Sequence, residues 1–195
     1  LDQTNYGEAR RIGEGYAETV GKALADLKPI AGDVLRIRRI EFTTGPREIS
    51  ESELATAREH AAKYSWNGEG TLTSEDLATG SPAALKYFAD KLLAVAEDRA
   101  PRQAEIVAIR IGEARIVTLP SEPFVEIGLR IKQELAAGHP CLVGTLGPGF
   151  AAYIPNAFNF GRGGYETHPR CSPQATDAAD RLLAAVKQGL DAVNA

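Results

Sequence analysis

Two short apolar runs joined by a tight turn limit the possible folds of this chain more than any other feature. Glu105–Ile111 and Ala114–Leu119 flank Gly112 and Glu113, and this spacing predicts a β-hairpin. The two strands need neighbours in a sheet, because open strand edges and bare apolar faces are unfavourable in water. The hairpin therefore predicts that a β-sheet forms the centre of the fold.

Two further segments are predicted to be strands. Residues 34–43 alternate apolar and basic side chains with a period of two, which is typical of a strand buried on one face. Cys141–Leu146 is short and apolar, which indicates a fully buried strand.

Helices are predicted around these strands. Ser50 and Glu53 have the spacing of a capping box, and Ser81 followed by Pro82 is typical of a helix start. Trp66–Ser81 is rich in Gly, Thr and Ser and is predicted to be a loop. The predicted helices span about residues 1–27, 50–64, 82–97, 121–138 and 174–195. Together these segments predict an α/β fold with a mixed sheet and packed helices.

Charge and hydropathy narrow the possible partners. The 22 basic and 26 acidic residues give a net charge of -4 without a long run of either sign, so no nucleic-acid partner is expected. No apolar stretch approaches the roughly 20 residues that a membrane-spanning helix needs. The chain lacks Met, and its first segment has the pattern of an ordinary helix, so we expect an upstream part of the protein.

Glu122 is the first candidate site residue. It follows a predicted strand and precedes a predicted helix, where free backbone N–H groups favour an ionised carboxylate. An ionised carboxylate is a suitable ligand for a cation such as zinc. The alternative is that Glu122 only caps its helix, as acidic residues at this position commonly do.

Tyr153 and Tyr165 are the next candidates. Glycines surround both segments, and such loops allow the backbone to approach a ligand closely. The alternative is that each is a packed tyrosine with a satisfied hydroxyl group.

Histidines and cysteines could form a different metal site. His139 and Cys141, with His168 and Cys171, have spacings that tetrahedral zinc accepts. This site is disfavoured because Cys141 begins an apolar strand and is more simply a small buried side chain. The two cysteines could also form a disulfide, and the sequence leaves their state open.

Three motifs in the second half carry a resemblance to a known family. They are Leu119-Pro-Ser-Glu-Pro-Phe-Val-Glu-Ile-Gly-Leu-Arg130, Ala152-Tyr-Ile-Pro155 and Gly163-Gly-Tyr-Glu166. In order and rough spacing they resemble the end of the catalytic domain of the neutral, non-lysosomal ceramidases and their bacterial relatives. The chain departs from that family at residues 147–152, where the family has an Asn- and Tyr-rich segment.

The resemblance implies a zinc-dependent amidase of which residues 1–195 are the carboxyl-terminal portion, within a larger two-layer or sandwich catalytic domain. It implies Glu122 and Tyr153 as metal ligands and Tyr165 as the residue that contacts the reacting amide. Two histidine ligands and a catalytic serine would come from an N-terminal half of the same protein, and the substrate would be a ceramide-like N-acyl lipid or a related amide. A secreted or periplasmic location would follow from the family. A non-catalytic α/β binding module is the alternative function.

Overall fold

The computed structural model describes residues 5–66 and 72–195, and the chain divides into two compact units, residues 1–32 and 33–195. In the first unit, helix α1 spans Tyr6–Ala23 and ends in a 3₁₀ turn. The predicted helix is confirmed over this range, while residues 1–4 lie outside the described residues. None of the side chains of α1 is buried, so its apolar stripe is exposed.

The second unit contains a mixed α/β fold, as predicted. A four-stranded sheet has the order β1-β2-β3-β5, in which β5 is parallel to β3 and the other pairs are antiparallel. A separate parallel pair is formed by β4 and β6. The strands are β1 (Leu35–Thr44), β2 (Arg102–Ile111), β3 (Ala114–Thr118), β4 (Glu122–Pro123), β5 (Cys141–Gly144) and β6 (Tyr153–Ile154). The helices are α2 (Glu51–Lys63), α3 (Ser74–Thr79), α4 (Pro82–Glu97), α5 (Val125–Arg130) and α6 (Ala178–Asn194).

The predicted hairpin is formed by β2 and β3. Gly112 takes a φ of 55°, a left-handed conformation that glycine adopts without steric cost, and it closes the turn. The chain then crosses through α5 and a π-helical turn at Ile131–Leu135 before it returns in β5. Because β5 runs parallel to β3, the carboxyl ends of both strands lie at the same edge of the sheet.

One face of the sheet is covered by helix α6, which packs on β1 and β2. The approach is close at Gly189, where an added Cβ would lie 2.9 Å from Ile106 Cδ1 and 3.0 Å from Ala108 Cβ. The main core lies between this helix and the sheet. Its fully buried aliphatic members include Ile106, Val117, Leu119, Ile127, Ile131, Leu182, Val186 and Val193.

The opposite face of the sheet carries a row of exposed and partly buried aliphatic side chains, which we call the open face. The register places them side by side across all four strands. Leu35 and Leu142 are each 65% exposed, and Ile37 is 51% exposed. The open face consists of Leu35, Ile37, Ile109, Ile111, Ile116 and Leu142.

Helices α2 and α4 form a small satellite cluster through Ala57, Ala89 and Leu92. The predicted capping box at the start of α2 is present. The loop prediction for Trp66–Ser81 is wrong at α3, and residues 67–71 lie outside the described residues. The reason is a second capping box, in which Thr73 and Asp76 exchange hydrogen bonds and start a short helix in a polar segment.

The predicted helix over residues 121–138 begins later than expected. Ser121 and Glu122 precede α5, whose N-cap is Phe124 without a side-chain cap. The backbone of this segment is used instead by strand β4, because the N–H of Glu122 donates to Ala152 O at 3.1 Å. The predicted start of this helix at residue 121 is therefore wrong.

We expect Gly189→Ala to destabilise the protein although alanine is the better helix former. Helix propensity favours alanine by about 1 kcal/mol. The added methyl group meets the fixed Cβ of Ala108, and overpacking of this kind costs about 1–3 kcal/mol. Gly128→Ala in α5 is the matched control, because nothing lies within 4 Å of its Cβ position. Denaturant unfolding of both variants measures the difference, and a more stable Gly189→Ala protein would contradict the close packing.

Candidate functional site

The predicted metal ligands Glu122 and Tyr153 lie directly opposite each other. They are register partners in the short parallel pair of β4 and β6. Each strand follows the carboxyl end of a strand of the main sheet, where open α/β folds commonly place their binding sites. The structure therefore brings together two side chains that are 31 positions apart in the sequence.

The side chains of these two residues are joined by a hydrogen bond. A hydrogen bond to Glu122, followed by burial and by the negative charge of the same carboxylate, raises the pKa of the Tyr153 phenol. A raised pKa means that the phenol keeps its proton and donates it to the carboxylate. The carboxylate and the phenol oxygen thus share one proton.

The predicted catalytic residue Tyr165 lies next to this pair. Its ring meets the ring of Tyr153 edge to face, with centroids 6.2 Å apart and planes inclined by 82°. Tyr165 is 48% exposed. The three predicted site residues therefore form one contiguous group.

Glu122 and Tyr153 line an open cleft of about 510 Å³. Phe124, Val125 and Leu146 supply apolar walls, and Glu166 adds a second carboxylate. This volume lies within the usual range for small-molecule sites, and apolar walls with a few polar groups are typical of them. The cleft is therefore a suitable site for a ligand with an apolar portion.

The segment between β5 and β6 closes one side of the cleft in a strained conformation. Leu146 and Ala152 both have a φ of 53°, in the left-handed region that non-glycine residues rarely adopt. Backbone hydrogen bonds hold the segment against residues 119–122, and Leu146 N donates to Ser121 O at 3.2 Å. Such strain costs about 1–3 kcal/mol per residue and is frequent at binding sites.

The alternative metal site of His139, Cys141, His168 and Cys171 is not assembled. Within residues 5–66 and 72–195, no three His, Cys, Asp or Glu side chains are grouped to hold a metal ion. Both cysteines are free, which excludes a disulfide between them in this structure.

His168 has a structural environment instead. Its ring packs on Phe88 at 4.9 Å between centroids, and its Nδ1 accepts a hydrogen bond from Arg170 N. Burial, followed by the charges of Arg170 and Arg47, lowers the pKa of His168. The ring also ends an apolar groove of about 330 Å³ between α2 and α4.

The helix-cap alternative for Glu122 is wrong, because Glu122 lies in β4 and α5 begins at Val125. Sequence reasoning missed Arg170, which donates from Nη1 to Tyr165 Oη at 3.3 Å. It also missed Glu166 as a lining residue of the cleft. For Glu166 a signal existed, since it follows Tyr165 directly, whereas the contact of Arg170 depends on the 3₁₀ turn at Tyr165–Thr167.

Comparison with protein families, with characterised proteins and with solved structures finds no match for this chain. Among the described residues, no helix combines the length and apolar character needed to cross a membrane. Function therefore has to be inferred from the chemistry of the site.

We expect Glu122→Gln to lower the pKa of Tyr153. Glutamine still accepts a hydrogen bond, but it removes the charge that opposes ionisation of the phenol. Spectroscopic titration, with the Tyr153→Phe protein as the reference for subtraction, measures the change. Glu126→Gln on α5 is the matched control, since Glu126 is not among the groups that act on Tyr153. An unchanged Tyr153 titration in Glu122→Gln would contradict an effect of the Glu122 charge on the phenol.

Proposed function

We propose that the chain is part of a zinc-dependent amidase that hydrolyses a ceramide-like N-acyl lipid or a related linear amide. The observation that carries this proposal is the contact of Glu122, Tyr153 and Tyr165 beside an open cleft. These are the residues that the sequence motifs single out. The apolar walls of the cleft suit an acyl chain next to a polar reacting group.

The two proposed ligands fit zinc as a partial set. Zinc accepts carboxylate oxygens at about 2.0–2.2 Å and is usually held by three or four protein ligands. The Glu122 carboxylate and the Tyr153 phenol belong to register partners and interact with each other, so the fold places two oxygen donors side by side. The remaining ligands, two histidines, would come from an N-terminal half of the same protein.

Each residue of the chain then has a definite role. Bound zinc would supply Lewis-acid polarisation of the amide carbonyl. Glu122 would bind the ion through its carboxylate, and Tyr153 would bind it through the phenol oxygen. Tyr165 would donate its phenolic proton in a hydrogen bond to the carbonyl oxygen as negative charge develops there. Phe124 and Leu146 would exclude water from the acyl chain.

The open face supports the proposal of a second half. Apolar side chains on a sheet face are normally buried against another layer, and large exposed apolar patches mark interaction surfaces. Here one face is covered by α6, and the other bears six aliphatic side chains. An N-terminal half packed on the open face would complete a larger two-layer or sandwich catalytic domain.

A non-catalytic binding module is the second candidate function. The open face favours it, because an interaction surface requires no chemistry at the cleft. Zinc content separates the two functions. A complete protein that retains no zinc under any condition of reconstitution would favour the binding module.

We expect the site variants of the complete protein to fail in different ways. Glu122→Gln and Tyr153→Phe each remove a proposed ligand, so zinc content and turnover of a fluorescent N-acyl amide should fall together. Tyr165→Phe removes one hydrogen-bond donor, so zinc should stay while turnover falls by about 10²–10³. Elemental analysis beside steady-state kinetics measures both. Full turnover in Tyr165→Phe, or unchanged zinc and turnover in Tyr153→Phe, would return that tyrosine to a packing role.

We also expect charge on the open face to block association with the N-terminal half. Ile37→Glu combined with Leu142→Glu should weaken binding at least tenfold, because two exposed aliphatic residues become charges in an apolar interface. Leu77→Glu on α3 is the control, since Leu77 is 43% exposed and lies off the sheet. Sedimentation of the two co-produced halves measures association. Equal association for both proteins would place the interface elsewhere.

A further inference from the structure

Arg170 makes contacts that tie the candidate site to helix α4. Its guanidinium carbon lies 4.8 Å from the ring centroid of Tyr87 and 6.0 Å from that of Tyr165. Its Nη1 donates to Tyr165 Oη at 3.3 Å. The guanidinium group is therefore held between two aromatic side chains and is bonded to one of them, an arrangement in which cation–π attraction and a hydrogen bond act together.

The direction of this hydrogen bond is fixed by chemistry. A guanidinium group has five N–H donors and no acceptor, so the phenol oxygen of Tyr165 must accept. The phenolic proton of Tyr165 is then not used in this contact. A hydroxyl group that accepts from a cation is also a stronger donor, because hydrogen bonds in a chain polarise one another.

The backbone anchors Arg170 independently of its side chain. The N–H of Arg170 donates to Nδ1 of His168 at 3.2 Å, and the ring of His168 packs on Phe88 of α4. The neighbouring Cys171 accepts through its carbonyl oxygen from the N–H of Tyr153 at 3.0 Å. The segment that carries the guanidinium group is thus bound both to α4 and to the strand of a proposed ligand.

We propose that Arg170 is a positioning residue that holds the Tyr165 hydroxyl beside Tyr153 and directs its free proton toward the reacting carbonyl oxygen. This inference rests on the proposed function for its catalytic consequence, while the positioning itself belongs to this chain alone. Without the guanidinium group, Tyr165 keeps only its edge contact with Tyr153 and its backbone turn. Its ring, already 48% exposed, would then sample several orientations.

The first test needs no activity. Fluorotyrosine at position 165 reports the environment and mobility of the ring by fluorine NMR. Arg170→Met, which removes the guanidinium group but keeps an unbranched side chain, should shift and narrow the resonance toward that of a solvent-exposed tyrosine. Lys91→Met is the matched control, because Lys91 Nζ lies 5.7 Å from the Tyr87 ring but makes no contact with Tyr165. An unchanged resonance in Arg170→Met would overturn the proposal.

The second test measures turnover in the complete protein. Arg170→Met should lower kcat about ten- to a hundredfold with little change in KM, since a misplaced donor acts in the transition state. Arg170→Lys should restore part of the loss. In the Tyr165→Phe background, Arg170→Met should cause no further loss, because both changes remove the same hydrogen bond. Additive losses would overturn the proposal.

The two tests separate the two proposals. A parent protein without amidase activity would refute the proposed function, while the fluorine resonance would still decide whether Arg170 positions Tyr165. A normal resonance in Arg170→Met together with an active parent would refute the positioning role and leave the amidase intact.

Discussion

The parallel pairing of β3 and β5 is the interaction on which the candidate site depends. Both strands leave the sheet at the same edge, so the segments that follow them run side by side. Hydrogen bonds continue past the strands, with Leu119 N donating to Gly144 O and Gly147 N donating to Leu119 O. They lead directly into the pairing of β4 and β6, and that pairing sets Glu122 opposite Tyr153.

The covered face of the sheet stabilises this arrangement. Helix α6 buries its apolar side against β1 and β2. Three arginine side chains donate hydrogen bonds to residues at its carboxyl end. Arg36 and Arg110 donate to the carbonyl oxygens of Val193 and Asn194, and the buried Arg115 donates to the Asn194 side chain at 2.7 Å. Cations at this end of a helix are favourable, because the last carbonyl groups lack partners within the helix. On the open face, by contrast, Leu35, Ile37 and Leu142 are each more than half exposed.

The candidate site consists of a series of polar and aromatic contacts between neighbouring side chains. Glu122 binds the proton of Tyr153, Tyr153 meets Tyr165, and Tyr165 accepts from Arg170. Arg170 in turn lies over Tyr87 of α4. Helices α2 and α4 contribute little to the main core. The contact of Arg170 with Tyr87 connects this satellite cluster to the candidate site. The two strained residues Leu146 and Ala152 are consistent with a segment shaped for binding rather than for stability.

Much of the fold was determined by the sequence alone, because the relevant forces act over a few residues. Alternating hydrophobicity defined β1, the glycine turn defined the hairpin, and caps placed the starts of α2 and α4. The same local reasoning failed at Ser121 and Ser74–Thr79, where a distant backbone partner and an overlooked capping box decided the outcome. Local pattern identifies an element only where no long-range partner competes for its backbone.

The sequence also singled out Glu122, Tyr153 and Tyr165 one by one, through carboxylate position, glycine content and a resemblance. Only the tertiary structure brought them into contact, because their proximity depends on the parallel return of β5 rather than on their spacing in the chain. The role of Arg170 could be identified only from the tertiary structure. Its guanidinium group contacts Tyr165 in a 3₁₀ turn and Tyr87 in helix α4. The turn and the helix come together only in the folded chain, so no short-range sequence pattern predicts these contacts.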